Sequence, residues 1–112
     1  MKLQAKARHR GDPRLANAAF RRVLEDHLTY FRNHPQLRST RVTPQQADMY
    51  RGDFYGLLIE LGVPEEMHWI TLRINHLHSP GDYQEEKTEI YAMPSGVVTK
   101  ILNMHLSRLK QL

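Results

Sequence analysis

Helix-start signals recur along this chain and divide it into short helices. The most complete lies at 43–46, where Thr43 and Gln46 resemble a capping box and Pro44 fills a position that needs no N–H. Apolar residues follow this signal at three- and four-residue steps, the spacing of one buried helix face. Three further starts precede similar runs. They are Asp12-Pro13, Pro64 and Ser95.

The segment 44–61, which follows the capping box, contains two glycines and can be interpreted in two ways. Gly52 and Gly56 each weaken a helix by about 1 kcal/mol relative to alanine. Residues 44–61 are therefore either one helix or a short element followed by a new start at Asp53, and 44–53 can be helix or strand. Sequence alternation predicts a strand in "TEIYAMP", which stops at Pro94, whereas "NHPQLRSTRV" is expected to be an extended connector.

These signals predict an α+β fold that is predominantly helical. We expect about four helices, a short strand or strand pair, and an extended basic N-terminal arm. The expected divisions are the arm with the first helix at 1–42, a helical core with its closing strand at 43–94, and a C-terminal helix at 95–112.

The absence of cysteine and of long apolar runs narrows the classes of function. No disulfide, thiolate metal site or cysteine nucleophile is available. The chain has no run of 18 apolar residues, and its first residues lack the apolar middle of a secretion signal. We expect a protein that is made in a cytoplasm-like compartment and does not bind membranes.

Positive charge is concentrated in the first part of the chain. Residues 1–42 carry ten Lys and Arg against three acidic residues, a balance of +7, whereas 43–112 carry six against nine. Such an arm suits an anionic partner, either nucleic acid or acidic neighbouring subunits, and a solvated tail is the alternative. Arg21 and Arg22 are expected on the solvated face of the first helix. The candidate partner-binding residues of the arm are Lys2, Lys6, Arg8, Arg10 and Arg14.

Several chemistries are disfavoured by spacing. A DNA-reading helix-turn-helix is disfavoured because Glu65 and Glu66 would face the phosphates at the start of its second helix. His76, His78 and Asp82 lie within seven residues, but their spacing matches no helical metal motif. No nucleophile elbow or phosphate-binding loop occurs. We therefore predict no catalytic residue, metal ligand, cofactor or small-molecule substrate, and no enzyme.

Residues 50–94 resemble the LysM pattern of a Gly-Asp pair, two helices joined by a turn, an Asn, a loop, and a closing strand that ends at Pro. In that family the Asp caps the first helix, the Asn ties down the following loop, and two strands lie under two helices, a βααβ core. A Trp six residues before the Asn, and the segment "YFRNHP", are similar to LysM-like modules of contractile-tail phage baseplate wedge proteins. The positions that carry the resemblance are Gly52, Asp53, Gly62, Trp69, Asn75 and Pro94.

The resemblance implies a structural subunit of a phage virion, in the tail, baseplate or neck. Its partners would be other virion proteins in a multi-copy assembly, and it would be located in the virion after synthesis in the host cytoplasm, or in the cytoplasm if it is not viral. Two alternatives stay open. One is an accessory factor that binds nucleic acid through the basic arm, and the other is a LysM-type glycan-binding module.

Overall fold

The computed structural model describes residues 13–110, which form an α+β fold, as the sequence predicts. Six α-helices and two strands lie in this part of the chain, with single 3₁₀ turns at Pro13–Ala16, Glu65–Met67 and Pro80–Asp82. The helices are α1 (Ala18–Asp26), α2 (Leu28–Arg32), α3 (Pro44–Met49), α4 (Phe54–Glu60), α5 (His68–Ile74) and α6 (Ser95–Lys110). The strands are β1 (Arg38–Arg41) and β2 (Glu89–Ala92).

The predicted first helix is two helices with a different start. Asp12 lies outside the described residues, and the cap of α1 is Asn17, whose Oδ1 accepts from the Ala19 amide at 2.8 Å. The break at His27 has a local cause. Its Nδ1 donates to Val23 O at 2.8 Å, while the His27 amide turns to Leu24 O at 3.0 Å, so the regular helical bonding pattern is interrupted.

Residues 44–53 are a helix followed by a turn, so the interpretation with two separate elements is confirmed. The capping box forms as predicted, with the Gln46 amide donating to Thr43 Oγ1 and the Thr43 amide donating to Gln46 Oε1, both at 3.1 Å. Gly52 has a φ of +76°, which breaks the helix, and Asp53 then starts α4. At Gly56 a Cβ would lie 2.3 Å from the Asp53 carboxylate, so glycine makes room for this cap.

The predicted strand at 88–94 forms as β2, and its antiparallel partner β1 lies in the segment expected to be a plain connector. In this ladder Arg38 is opposite Ala92 and Arg41 is opposite Glu89. All four residues of β1 are exposed, so the strand has no apolar alternation that sequence could reveal. Three α-helices, α3 to α5, lie between the strands in the chain, where the LysM resemblance implies two.

The helix α5 lies between two hydrophobic clusters. Its Ile70 and Ile74 belong to the cluster formed with α1, α2 and α6, whereas its Leu72 belongs to the cluster formed with α3, α4 and β2. Trp69 and Val63 pack against both clusters. Because α5 is buried on most of its circumference, the helices and strand of both clusters pack against it. None of the helices within 13–110 has the length and apolar character needed to cross a membrane.

Candidate interaction site

Three of the positions that carry the resemblance shape the backbone. The Gly52 amide donates to Tyr83 O at 2.9 Å, and Asp53 Oδ1 accepts from the Gly56 amide at 3.0 Å, which caps α4. Gly62 has a φ of +83° and ends α4, where its amide donates to Ile59 O at 3.1 Å. Their polar groups are therefore occupied within the chain.

Asn75 is also a structural residue. It is 1% exposed, and its Nδ2 donates to Thr71 O at 2.7 Å and to Tyr91 O at 2.8 Å. Its Oδ1 accepts from the Tyr91 amide at 2.8 Å. The side chain thus pairs with β2 as a neighbouring strand would, so it ties α5 to the sheet. Pro94 lies between β2 and α6 and accepts from the Val97 amide at 3.1 Å.

Trp69, the remaining position of the resemblance, lies in a groove between α4, the start of α5, and the N-terminal 3₁₀ turn with α1. The groove has a volume of about 310 Å³. Its lining combines aromatic rings, apolar side chains and charges of both signs. The lining residues are Leu15, Arg21, Tyr55, Ile59, Glu65, Glu66, His68 and Trp69.

Arg21 is part of this groove, which corrects its predicted place on a solvated helix face. Its guanidinium carbon lies 5.2 Å from the centroid of the Trp69 ring, within the range of a cation–π contact. Its Nε is buried and has no hydrogen-bond partner among the described residues. Burying a donor without an acceptor is unfavourable, so the place of Arg21 against Trp69 costs the fold some stability.

The opposite side of the groove is held rigid. The rings of Tyr55 and His68 lie 5.3 Å apart between centroids, and His68 Nε2 donates to Val63 O at 2.9 Å. Burial raises the pKa of the Tyr55 hydroxyl, and the nearby charge of Arg21 opposes part of that rise. Ile59 is 62% exposed and lies beside these rings in the groove lining. The groove therefore presents a fixed aromatic wall beside an exposed apolar one.

This combination suits recognition of another polypeptide. Trp, Tyr and Arg are the residue types that dominate the energetic centres of protein interfaces, because each adds a large contact area together with a polar group. Periodicity pointed to none of Arg21, Tyr55 and Ile59 as a binding residue. They meet only in three dimensions, and the single local signal was the unusual Trp69.

Among the residues predicted for the arm, only Arg14 lies in the described part of the chain, whereas the whole disfavoured metal motif does. Lys2, Lys6, Arg8 and Arg10 lie outside the described residues, and Arg14 is half-buried in the first 3₁₀ turn. Asp82 Oδ2 accepts from the Ser79 amide at 3.0 Å, so its carboxylate shapes the loop. Within 13–110 no group of three or more His, Asp or Glu side chains could hold a metal ion.

No protein family, curated protein or solved structure matches this chain. The resemblance to LysM-like phage modules therefore stays a prediction.

Proposed function

We propose that the chain is a non-enzymatic assembly subunit of a phage virion, in the tail, baseplate or neck, that binds a neighbouring virion protein. The observation that carries this proposal is the groove in which Arg21, Tyr55 and Trp69 meet beside the exposed Ile59. Its composition, with Trp, Tyr and Arg together, is that of an interface centre.

The chemistry of the groove defines the segment that would fill it. An apolar side chain of the partner would cover Ile59, which is exposed, and remove it from water. A carbonyl or carboxylate oxygen beside that side chain would accept from the guanidinium of Arg21, which lines the groove. The partner is therefore a polypeptide with an apolar anchor next to an acceptor.

The same geometry makes the glycan-binding alternative less favourable. Sugar recognition by aromatic residues needs an open ring face, whereas Arg21 lies over one face of Trp69. The polar side chains of the resemblance are hydrogen-bonded within the chain, Asp53 to α4 and Asn75 to β2. These contacts support a module that uses the LysM-like residues for its own stability.

Part of the positive charge of residues 1–42 is also used inside the molecule. Arg32 Nη2 donates to Arg73 O at 2.6 Å and Arg32 Nε donates to Ile74 O at 3.2 Å, where they satisfy the end of α5. Arg21 is engaged with Trp69. Nucleic-acid binding through the residues before 13 stays a prediction.

The proposal is tested by Ile59→Glu, which places a charge in the groove at an exposed helical position where a fold defect is not expected. We expect its incorporation into purified virions to fall about tenfold or more, since a buried charge in place of an apolar contact costs at least ~1.4 kcal/mol. Quantitative mass spectrometry of purified particles measures this.

The matched control is Met49→Glu, which alters an exposed apolar residue of α3 that does not line the groove. Circular dichroism should show both variants folded, and Met49→Glu should enter particles like the unmodified chain. The proposal fails if the unmodified chain is absent from purified particles, or if the two variants are incorporated equally.

A further inference from the structure

The strand β1 has an outer edge whose hydrogen-bonding groups can be identified from the register. The Val42 amide donates to Thr88 O at 2.7 Å, which continues the ladder one step beyond the strand. Hydrogen-bonded pairs alternate with non-bonded pairs in an antiparallel ladder. The Thr40–Ile90 pair is therefore hydrogen-bonded, and the backbone groups of Ser39 and Arg41 point away from β2.

The outer edge of β2 is closed at Tyr91, whereas the outer edge of β1 has no such contact at Ser39 or Arg41 among the described residues. On β2, the outward N–H and C=O of Tyr91 are both bonded to the Asn75 side chain. On β1, the outward groups of Ser39 and Arg41 make no hydrogen bond to any residue from 13 to 110. No proline or bulge interrupts β1, and its four side chains are all exposed. This edge is therefore able to accept another strand.

Charge selects which strand would bind there. The strand has the sequence Arg-Ser-Thr-Arg, with Arg38 and Arg41 at its two ends. Antiparallel pairing with a second copy has to bring outward backbone groups together, so Arg41 would lie opposite Ser39 and neither arginine would gain an acidic neighbour. A strand with acidic side chains opposite both arginines forms favourable pairs instead.

We propose that the outer edge of β1 binds an extended acidic segment of a partner protein as a third strand. Because the two arginines are three residues apart, the segment has acidic residues at positions i and i+3. The backbone of Ser39 and Arg41 offers two N–H and two C=O groups to this strand. The partner is a neighbouring subunit if the proposed assembly function holds, but binding at the edge is tested without it.

The probe is a fluorescein-labelled peptide, Ser-Thr-Glu-Val-Thr-Glu-Thr-Ser, titrated with the full chain and followed by anisotropy. Saturable binding below about 1 mM is expected, with weakening as salt is added. A peptide of the same composition with adjacent glutamates, Ser-Thr-Val-Glu-Glu-Thr-Thr-Ser, should bind at least fivefold less tightly. Amide exchange measured by NMR should slow at Ser39 and Arg41 when the first peptide is bound.

Ser39→Pro is the blocking variant. It removes an outward N–H that takes no part in the β1–β2 ladder, so the sheet is retained while the edge is closed. We expect at least tenfold weaker peptide binding. A second variant, Arg38→Glu, keeps the backbone and should weaken binding about fivefold, whereas Arg22→Glu, at an exposed position outside the sheet, should leave it unchanged.

The inference is overturned if the acidic peptide does not bind, or if Ser39→Pro and Arg38→Glu bind it as the unmodified chain does. Ile59→Glu should bind the peptide normally, since it alters the groove and leaves β1 intact. A chain that binds the peptide but is missing from virions would contradict the proposed function alone.

Discussion

Two residues at helix ends adopt the same left-handed backbone with different side chains. Gly62, after α4, has a φ of +83°, and His76, after α5, has a φ of +65°. Both ends have the two hydrogen bonds of a Schellman motif, and after α5 these are from the His76 amide to Arg73 O at 3.0 Å and from the Leu77 amide to Leu72 O at 3.1 Å. Glycine is suited to this conformation, whereas a side chain is strained in it.

His76→Gly is therefore expected to raise the free energy of unfolding by about 1 kcal/mol. Gly62→Ala is the matched opposite, and it should lower that free energy by about 1 kcal/mol or more. An added Cβ at Gly62 meets no described atom within 4 Å, so the loss would come from the backbone alone. Urea denaturation of both variants measures the changes. A loss of stability in His76→Gly would contradict this account of the α5 end.

At the scale of elements, one ion pair joins α1 to α5. Arg73 Nε donates to Glu25 Oε1 at 3.1 Å and Arg73 Nη2 donates to Glu25 Oε2 at 2.7 Å. The hydrogen bonds from Arg73, together with its charge and those of Arg32 and His78, hold the pKa of Glu25 below its ordinary value, although burial opposes part of this. Arg73 also donates to Leu77 O at 2.7 Å, so the same side chain holds the loop that follows α5.

This pair predicts a pH dependence of stability. A carboxyl whose pKa is lowered by folding stabilises the protein above its ordinary pKa, and that contribution is lost as the pH falls through the lower folded pKa. Glu25→Gln should thus cost stability at pH 7, by less than about 1 kcal/mol because Glu25 is 39% exposed and water screens the pair.

The cost of Glu25→Gln should shrink as the pH falls below 4.5, the ordinary pKa of the group. Urea denaturation at pH 7 and at about pH 3 compares the two conditions. Asp26→Asn, one residue away on the exposed face, is the control. The free energy of unfolding of this variant should follow that of the unmodified chain at both pH values. If the stability difference between Glu25→Gln and the unmodified chain is the same at both pH values, the ion pair is not its cause.

The elements that sequence predicted were those with local causes. The start of α3 followed from the Thr43 and Gln46 side chains. The sequence allowed either one helix over 44–61 or a new start at Asp53, and in the structure Asp53 caps α4. The helix breaks at His27 because its ring nitrogen takes the carbonyl of Val23 in place of the backbone amide. The spacing of apolar residues contains no information on such a contact. The strand β1 is specified by its pairing with β2, since its own residues have no buried face.

For the molecule as a whole, the residues that look distinctive in the sequence mostly stabilise the fold. Asp53 and Asn75 are occupied by their own chain, and α5 is enclosed by two clusters. Two surfaces within 13–110 are suited to partners, the groove around Trp69 and the outer edge of β1. Both combine exposed contacts with polar groups that lack partners within 13–110. Sequence could not reveal the groove because its residues come from separate elements.

The central claim is that the groove contacts another polypeptide in an assembled particle. Replacing Ile59 with the photo-crosslinking residue benzoylphenylalanine, and irradiating purified virions, tests this claim directly. We predict a crosslink from position 59 to a different virion protein, and a much weaker one from the matched exposed position 49. No crosslink from position 59 to any protein, or equal crosslinking from both positions, would contradict the account.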